Sequence, residues 1–79
     1  MNNKVAVTVG QRTYSMTRQQ FKEGIEPLAK KAVPFGIYAV EKAGHIQMLK
    51  EPCKSVTQIK QRKREYAARG FKVYINQEK

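Results

Sequence analysis

Residues 4–16 read KVAVTVGQRTYSM, and this stretch decides how the chain begins to fold. Valine occupies every second position from 5 to 9, which is the period of a β-strand with one apolar face. The Gly-Gln pair that follows fits a two-residue turn with glycine first. A turn at that point predicts a β-hairpin with three pairs on one face. These pairs are Val9 with Arg12, Val7 with Tyr14, and Val5 with Met16.

A first helix is predicted to follow this hairpin. Thr17 and Gln20 form the Thr-x-x-Gln pattern of a capping box, and an apolar stripe then continues along about four turns. Pro27 lies inside this stripe, where a proline removes one backbone donor and clashes with the preceding turn. We therefore expect a kink near residues 24–26 or two short helices, ending before Pro34.

A second hairpin is predicted where residues 37–42 and 45–50 flank an Ala-Gly turn. Neither of its faces is cleanly polar. Two half-apolar faces indicate either a hairpin covered on both sides or a sheet surface that binds something. The predicted faces are Ile37, Ala39, Ile46 and Met48 on one side, and Tyr38, Val40, His45, Gln47 and Leu49 on the other. The predicted pairs are Ala39 with Met48 and Tyr38 with Leu49.

The remaining residues predict one more helix and one more strand. Ser55 and Gln58 repeat the capping-box pattern and open a helix over residues 55–69, which Gly70 closes. Strand alternation resumes at residues 71–75. The order ββαββαβ predicts a two-layer α+β fold, with a mostly antiparallel sheet of about five strands and two helices on one face. A length of 79 residues suits a single small basic domain, residues 1–79.

Positive charge is concentrated on the second predicted helix. The chain carries 16 Lys and Arg against 6 Asp and Glu, which gives a formal net charge of +10. Such an imbalance causes self-repulsion that solubility alone does not require, so contact with phosphates is the favoured explanation. Only Glu65 opposes the basic residues of this region, which are Lys54, Lys60, Arg62, Lys63, Arg64, Arg69 and Lys72. Helical projection puts Lys60 and Arg64 on one flank, Arg62 and Arg69 on the other, and Lys63 within the apolar stripe.

We therefore expect a small, non-enzymatic, cytoplasmic nucleic-acid-binding protein with weak sequence specificity. DNA and RNA, single- or double-stranded, remain open as the target. If six of the seven basic groups neutralise phosphates, log K against log salt has a slope of about −5 on duplex DNA and about −4 on single strands. Small size, high charge and the lack of catalytic groups would also suit an accessory protein of a phage or plasmid.

The alternative hypothesis is a protein-interaction module or inhibitor that docks on an acidic surface of a partner protein. Such a module needs apolar anchors, and its binding persists at high salt. Tyr38, Leu49 and Tyr74 are the candidate anchors, and the two tyrosines could instead stack on bases. A homodimer through an edge strand at residues 71–76 is a further alternative. Membrane adsorption is not expected, since the basic helix has no Phe, Leu or Trp to insert among lipids.

No catalytic, metal-binding or cofactor-binding pattern is found in the sequence. His45 and Cys53 are the only His and Cys side chains, too few for a structural zinc site. The carboxylates form no close pair outside the first helix, and no glycine-rich phosphate loop is present. We therefore expect no enzyme activity, no metal and no cofactor.

Overall fold

The structure, a computed structural model, describes residues 4–78. Its elements follow the predicted order ββαββαβ. The strands are β1 (Lys4–Val9), β2 (Arg12–Thr17), β3 (Phe35–Lys42), β4 (His45–Pro52) and β5 (Lys72–Gln77). Helix α1 is built from three consecutive segments, Arg18–Gln20, Phe21–Ile25 and Glu26–Ala32, and helix α2 is Val56–Ala68. Neither helix of this described part is long and apolar enough to cross a membrane.

The strands form one mixed sheet in the order β2-β1-β4-β3-β5. β1 and β4 pair in parallel, and the other three neighbouring pairs are antiparallel. The prediction of an α+β fold with a mostly antiparallel five-stranded sheet is confirmed. The first hairpin has the predicted register, with Val7 opposite Tyr14 and Val5 opposite Met16. A two-residue turn fixes the register by itself, so no distant contact was needed to predict it.

Helix α1 begins at the predicted capping box. Thr17 Oγ1 accepts a hydrogen bond from the backbone N of Gln20 at 3.1 Å, and the Gln20 side chain accepts one from Thr17 N at 2.9 Å. The segment Phe21–Ile25 is a π-helical turn, and Pro27 lies in the first turn of the α-helical segment after it. The wider turn accommodates the ring and the missing donor of proline without ending the helix. A π-helical turn is thus found next to the position where the sequence predicts a kink or two short helices.

The two helices lie on opposite faces of the sheet, so the expected two-layer arrangement with both on one face is corrected. Along β4, Ile46 and Met48 pack in the cluster that contains Phe21 of α1. Glu51, on the other face of the same strand, is hydrogen-bonded to Arg62 of α2.

Topology gives the reason for this placement. β2 and β3 are parallel to each other, and β4 and β5 point the opposite way. Helix α1 connects the first pair and α2 the second, and both connections advance in the same direction across the sheet. Crossover connections share one right-handed sense, so opposed strand directions put the two helices on opposite faces.

Strand β3 is covered on both sides. This agrees with the first of the two alternatives for the second hairpin, in which both of its faces are covered. Residues 36–41 are all buried. The register with both neighbouring strands shifts between Ile37 and Ala39. The shift places Tyr38 in the same cluster as Ala39 beneath α1, so the predicted pairing of Tyr38 with Leu49 is wrong.

The sheet divides the apolar core into two parts. The larger part, beneath α1, consists of Val5, Val7, Phe21, Val33, Tyr38, Ala39 and Ile46. On the other face, α2 contacts β3 and β5, where Ile37 and Val40 are buried. Ile59 is the one buried side chain of α2. Helix α2 is thus held by less apolar surface than α1, and polar contacts supplement it.

Candidate nucleic-acid interface

Helix α2 is positioned by caps at both ends and by one buried side chain. Ser55 Oγ accepts from the backbone N of Gln58 at 3.2 Å, and Gln58 Oε1 accepts from the backbone N of Lys54 at 2.8 Å. Gly70 follows the helix with a φ of 86°, in the left-handed region that favours glycine. Ile59, 1% exposed, fixes the rotation of the helix against the sheet. That rotation decides which charged side chains face solvent.

The flank of α2 that faces β4 carries an arginine that is already paired. Arg62 donates to the Glu51 carboxylate through Nε at 2.9 Å and Nη2 at 3.0 Å, and it also pairs with Glu65. The Tyr66 hydroxyl donates to the same Glu51 carboxylate at 2.9 Å. The hydrogen bonds from Arg62 hold the pKa of Glu51 below its usual value. Arg62 is therefore removed from the set of predicted phosphate contacts, since its guanidinium is committed to two carboxylates.

The opposite flank carries three cations that are exposed. The side chains of Lys60, Lys63 and Arg64 make no hydrogen bond or ion pair with any other residue in the described range 4–78. Helical spacing predicts that Lys63 lies in the apolar stripe, and this prediction is wrong. Lys63 instead lines the same shallow depression as Lys60 and Arg64. The apolar stripe is narrower than expected because Val56 is 41% exposed. We call Lys60, Lys63 and Arg64 the basic flank.

Three further cations lie at the ends of α2. Lys54 is exposed just before the N-cap, and Arg69 is exposed at the C-cap. Lys42 Nζ donates to the Arg69 carbonyl at 3.1 Å and lies 5.3 Å from the centre of the Phe71 ring. Sequence reasoning missed Lys42, because it precedes the turn of the second hairpin and only the crossover to β5 brings it to α2. No local pattern in the sequence signals this contact.

Lys72 does not belong to this surface. It pairs with Glu41 across β3 and β5, and its ammonium lies 5.5 Å from the centre of the Tyr74 ring. Arg18 of α1 is hydrogen-bonded to the same Glu41, so Lys72 faces the α1 side of the sheet. The prediction that Lys72 flanks the basic helix is therefore corrected. Adjacent residues in a strand point to opposite faces, and here the alternation turns Lys72 away from α2.

The two tyrosines predicted to stack on bases or anchor a partner are engaged inside the fold. Tyr38 is 3% exposed, and its hydroxyl donates to Glu26 at 2.5 Å. The Tyr74 hydroxyl donates to Glu41 at 2.5 Å. Burial, and to a smaller extent this hydrogen bond, raises the pKa of Tyr74 to about 12. The half-buried Tyr74 ring packs against the rings of Phe21 and Tyr38. Leu49 is half-buried at the edge of an apolar groove.

The histidine and the cysteine lie in different parts of the fold, with His45 at the start of β4 and Cys53 in the loop between β4 and α2. His45 Nε2 is 2.5 Å from Thr8 Oγ1, which is 2.9 Å from Thr13 Oγ1, all on the exposed sheet surface. Cys53 is buried, and that burial raises the pKa of its thiol. Across residues 4–78, His, Cys, Asp and Glu side chains form no group of three that could hold a metal ion.

Comparison with protein-family models, curated proteins and solved structures found no match. The charge and geometry of α2 and of the surfaces around it are therefore the features that point to function.

Proposed function

We propose that the protein is a small, non-enzymatic nucleic-acid-binding protein that contacts phosphates through the basic flank of α2. The asymmetry of this helix carries the proposal. One flank is neutralised by the Arg62 pairs with Glu51 and Glu65, whereas the other presents three unpaired cations on adjacent turns. Phosphate chains supply the matching charge, and release of their counterions favours binding. The cytoplasm is the proposed location, because nucleic acid is available there.

The cations at the ends of α2 extend the proposed surface along the helix. Lys54 lies at the N-terminal end, and Lys42 and Arg69 lie together at the C-terminal end. A phosphate backbone following the helix would meet the basic flank first and these residues second. We therefore expect the basic flank to dominate affinity and the end residues to add to it.

Weak sequence specificity follows from the same arrangement. Lysine ammonium groups act as point charges without a fixed hydrogen-bonding geometry. Of the two candidates for base stacking, Tyr38 is buried, and Tyr74 is half-buried against the core beneath α1. Contacts confined to phosphate and sugar position a protein on nucleic acid without reporting its sequence. The proposal therefore favours duplex DNA or RNA over a single strand bound by base stacking.

Fluorescence anisotropy with labelled duplex DNA, duplex RNA and single-stranded DNA tests the proposal. The variant Lys60→Gln/Lys63→Gln/Arg64→Gln should bind about tenfold more weakly or worse at low salt. The matched control is Lys22→Gln/Lys30→Gln/Lys31→Gln, which removes three exposed charges from α1. The control should stay within about threefold of wild type. For wild type, log K against log salt should have a slope of about −3 for three contacts, or about −4.5 if Lys54 and Arg69 contribute.

Two outcomes would contradict the proposal. Equal losses in both triple variants would mean that net charge alone drives binding, without a site on α2. Absence of binding to all three nucleic acids at low salt would reject nucleic acid as the partner. The protein-interaction hypothesis would then be the one to pursue.

A further inference from the structure

A groove lies on the α1 face of the sheet, on the side opposite the basic flank. Its volume is about 430 Å³, and it lies between the last turns of α1 and the ends of β1 and β4. Lys50 is its only charged lining residue. The apolar residues that line the groove include Val9, Ile25, Leu28, Ala29 and Met48. The groove is therefore an apolar depression with a basic edge.

Large apolar side chains are exposed around this groove. Leu28 is 67% exposed and Val9 is 43% exposed, and both line it. Tyr14 is 45% exposed and lies on β2 opposite Val7, which is a buried member of the core beneath α1. Among the described residues only Val56, on α2, is a comparably exposed large apolar side chain elsewhere. Isolated exposed apolar residues are ordinary, but a contiguous group beside a groove is typical of an interaction site.

The groove exists because α1 does not cover the whole sheet. Phe21 and Val33 of the α1 region pack with β1, β3 and β4, whereas the edge strand β2 is exposed over its first four residues. Val9 at the end of β1 and the first four residues of β2 are therefore left uncovered beside α1. A helix placed there would cover Tyr14 and Val9 and pack against Leu28. It would complete the helical layer on this face.

We propose that this groove binds an acidic amphipathic helix of a partner protein. Apolar side chains at helical spacing would fill the groove, and carboxylates on the flanks of that helix would meet cations at its edge. Lys50 lines the groove, and Lys30 and Lys31 lie in the last turn of α1. No Asp or Glu lines it. A second copy of this chain is disfavoured, because two molecules of charge +10 repel each other.

This inference goes beyond the proposed nucleic-acid binding and does not depend on it. The groove and the basic flank are on opposite faces and share no residue. Each surface can therefore be removed without touching the other. The protein would then connect a nucleic acid on one face with an acidic protein segment on the other.

Selection from a displayed library of random peptides tests the proposal. Peptides of about 16 residues can form about four helical turns. Selection uses the intact protein, with counter-selection against Leu28→Ser. We expect enrichment of acidic peptides with apolar residues spaced three and four apart. Selected peptides should bind Leu28→Ser at least about tenfold more weakly and bind the matched control Val56→Ser as tightly as wild type, and circular dichroism should show helix formation on binding.

Several results would overturn the inference. Enriched peptides without acidic residues or without helical periodicity would contradict the proposed partner, as would equal binding to Leu28→Ser. No enrichment over the counter-selected pool would exclude the groove as a peptide site. Sedimentation showing a dimer that Leu28→Ser dissociates would assign the groove to a second copy instead. Leu28 is already exposed, so circular dichroism and thermal melting should confirm that this variant folds.

Discussion

Glu41 shows how one acidic residue is used to organise a strongly basic chain. It is 8% exposed, and it accepts two hydrogen bonds from Arg18 and one from the Tyr74 hydroxyl. Arg18 holds the pKa of Glu41 below its usual value, which means that the folded state favours the carboxylate. On the other face, the Glu51 carboxylate likewise accepts hydrogen bonds from Arg62 and from the Tyr66 hydroxyl. The carboxylates of Glu41 and Glu51 thus each neutralise an arginine, on opposite faces of the sheet.

The first prediction concerns Glu41→Gln. This change removes the ion pair and leaves the Arg18 and Tyr74 donors with a weaker acceptor, so it should lower the free energy of unfolding at pH 7 by about 1–2 kcal/mol. Because the folded-state pKa is lowered, the stabilisation is present above the unfolded pKa of about 4.3 and is lost as pH falls through the folded pKa. The difference between wild type and variant should therefore shrink below about pH 4. Urea unfolding between pH 7 and pH 3 measures it.

Glu23→Gln is the matched control for this prediction. Glu23 is exposed on α1, and its carboxylate accepts a hydrogen bond from the Gln19 side chain one turn away. Its replacement should change the unfolding free energy by less than about 0.5 kcal/mol at any of these pH values. A difference for Glu41→Gln that stays constant down to pH 3 would show that the lost interaction is not the ionised pair.

At the scale of elements, local signals in the sequence decided where helices and strands occur. The first hairpin, both helix starts and the widened turn before Pro27 follow from residues within one turn of each other. The irregularity of β3 was not predictable in this way. It lies next to Gly36, where φ is +148° and an added Cβ would lie 2.2 Å from the Glu51 carbonyl oxygen. That close approach involves a strand partner far along the chain, and no local pattern reports it.

The second prediction compares two glycines. Gly36→Ala should cost about 3 kcal/mol or more, because the backbone conformation and the neighbouring carbonyl both oppose a side chain. Gly24→Ala, in the π-helical turn of α1, meets no atom within 4 Å and should stabilise the protein by about 0.5–1 kcal/mol. Urea unfolding of the two variants should give shifts of opposite sign. Destabilisation by both would mean that the π turn itself requires glycine.

The third prediction tests how α2 is attached. Ile59 is 1% exposed and is the helix's one buried side chain, so Ile59→Ala should cost about 3 kcal/mol. Val56→Ala, 41% exposed on the same helix, should cost less than about 1 kcal/mol. Hydrogen exchange should show faster opening of α2 in Ile59→Ala, while β1 and β2 keep their protection until global unfolding. Similar costs for the two variants would place the attachment of α2 in its ion pairs instead.

At the scale of the whole molecule, the order of the strands in the sheet determines which residues reach the candidate site. No local pattern in the sequence indicates that strand order. Once β4 is known to lie between β1 and β3, the handedness of the crossovers places α1 and α2 on opposite faces. That placement removes Lys72 from the basic surface and brings Lys42 to it. Helical spacing predicted the flank that holds Lys60 and Arg64, since their positions depend on one helix alone, but it placed Lys63 in the apolar stripe instead.

The last prediction is that the basic flank and the apolar groove act independently. They lie on opposite faces of a molecule whose smallest extent is 24 Å, whereas charges in physiological salt are screened over about 8 Å. A bound acidic peptide should therefore change the affinity for duplex DNA by less than about threefold at that salt. Leu28→Ser should leave DNA binding unchanged, and the triple Gln variant of the basic flank should leave peptide binding within about threefold. Anisotropy of labelled DNA, titrated with and without saturating peptide, measures the coupling directly. Displacement of DNA by the peptide would mean that both ligands occupy the basic helix, because a groove behind the sheet has no means of excluding DNA from the other face.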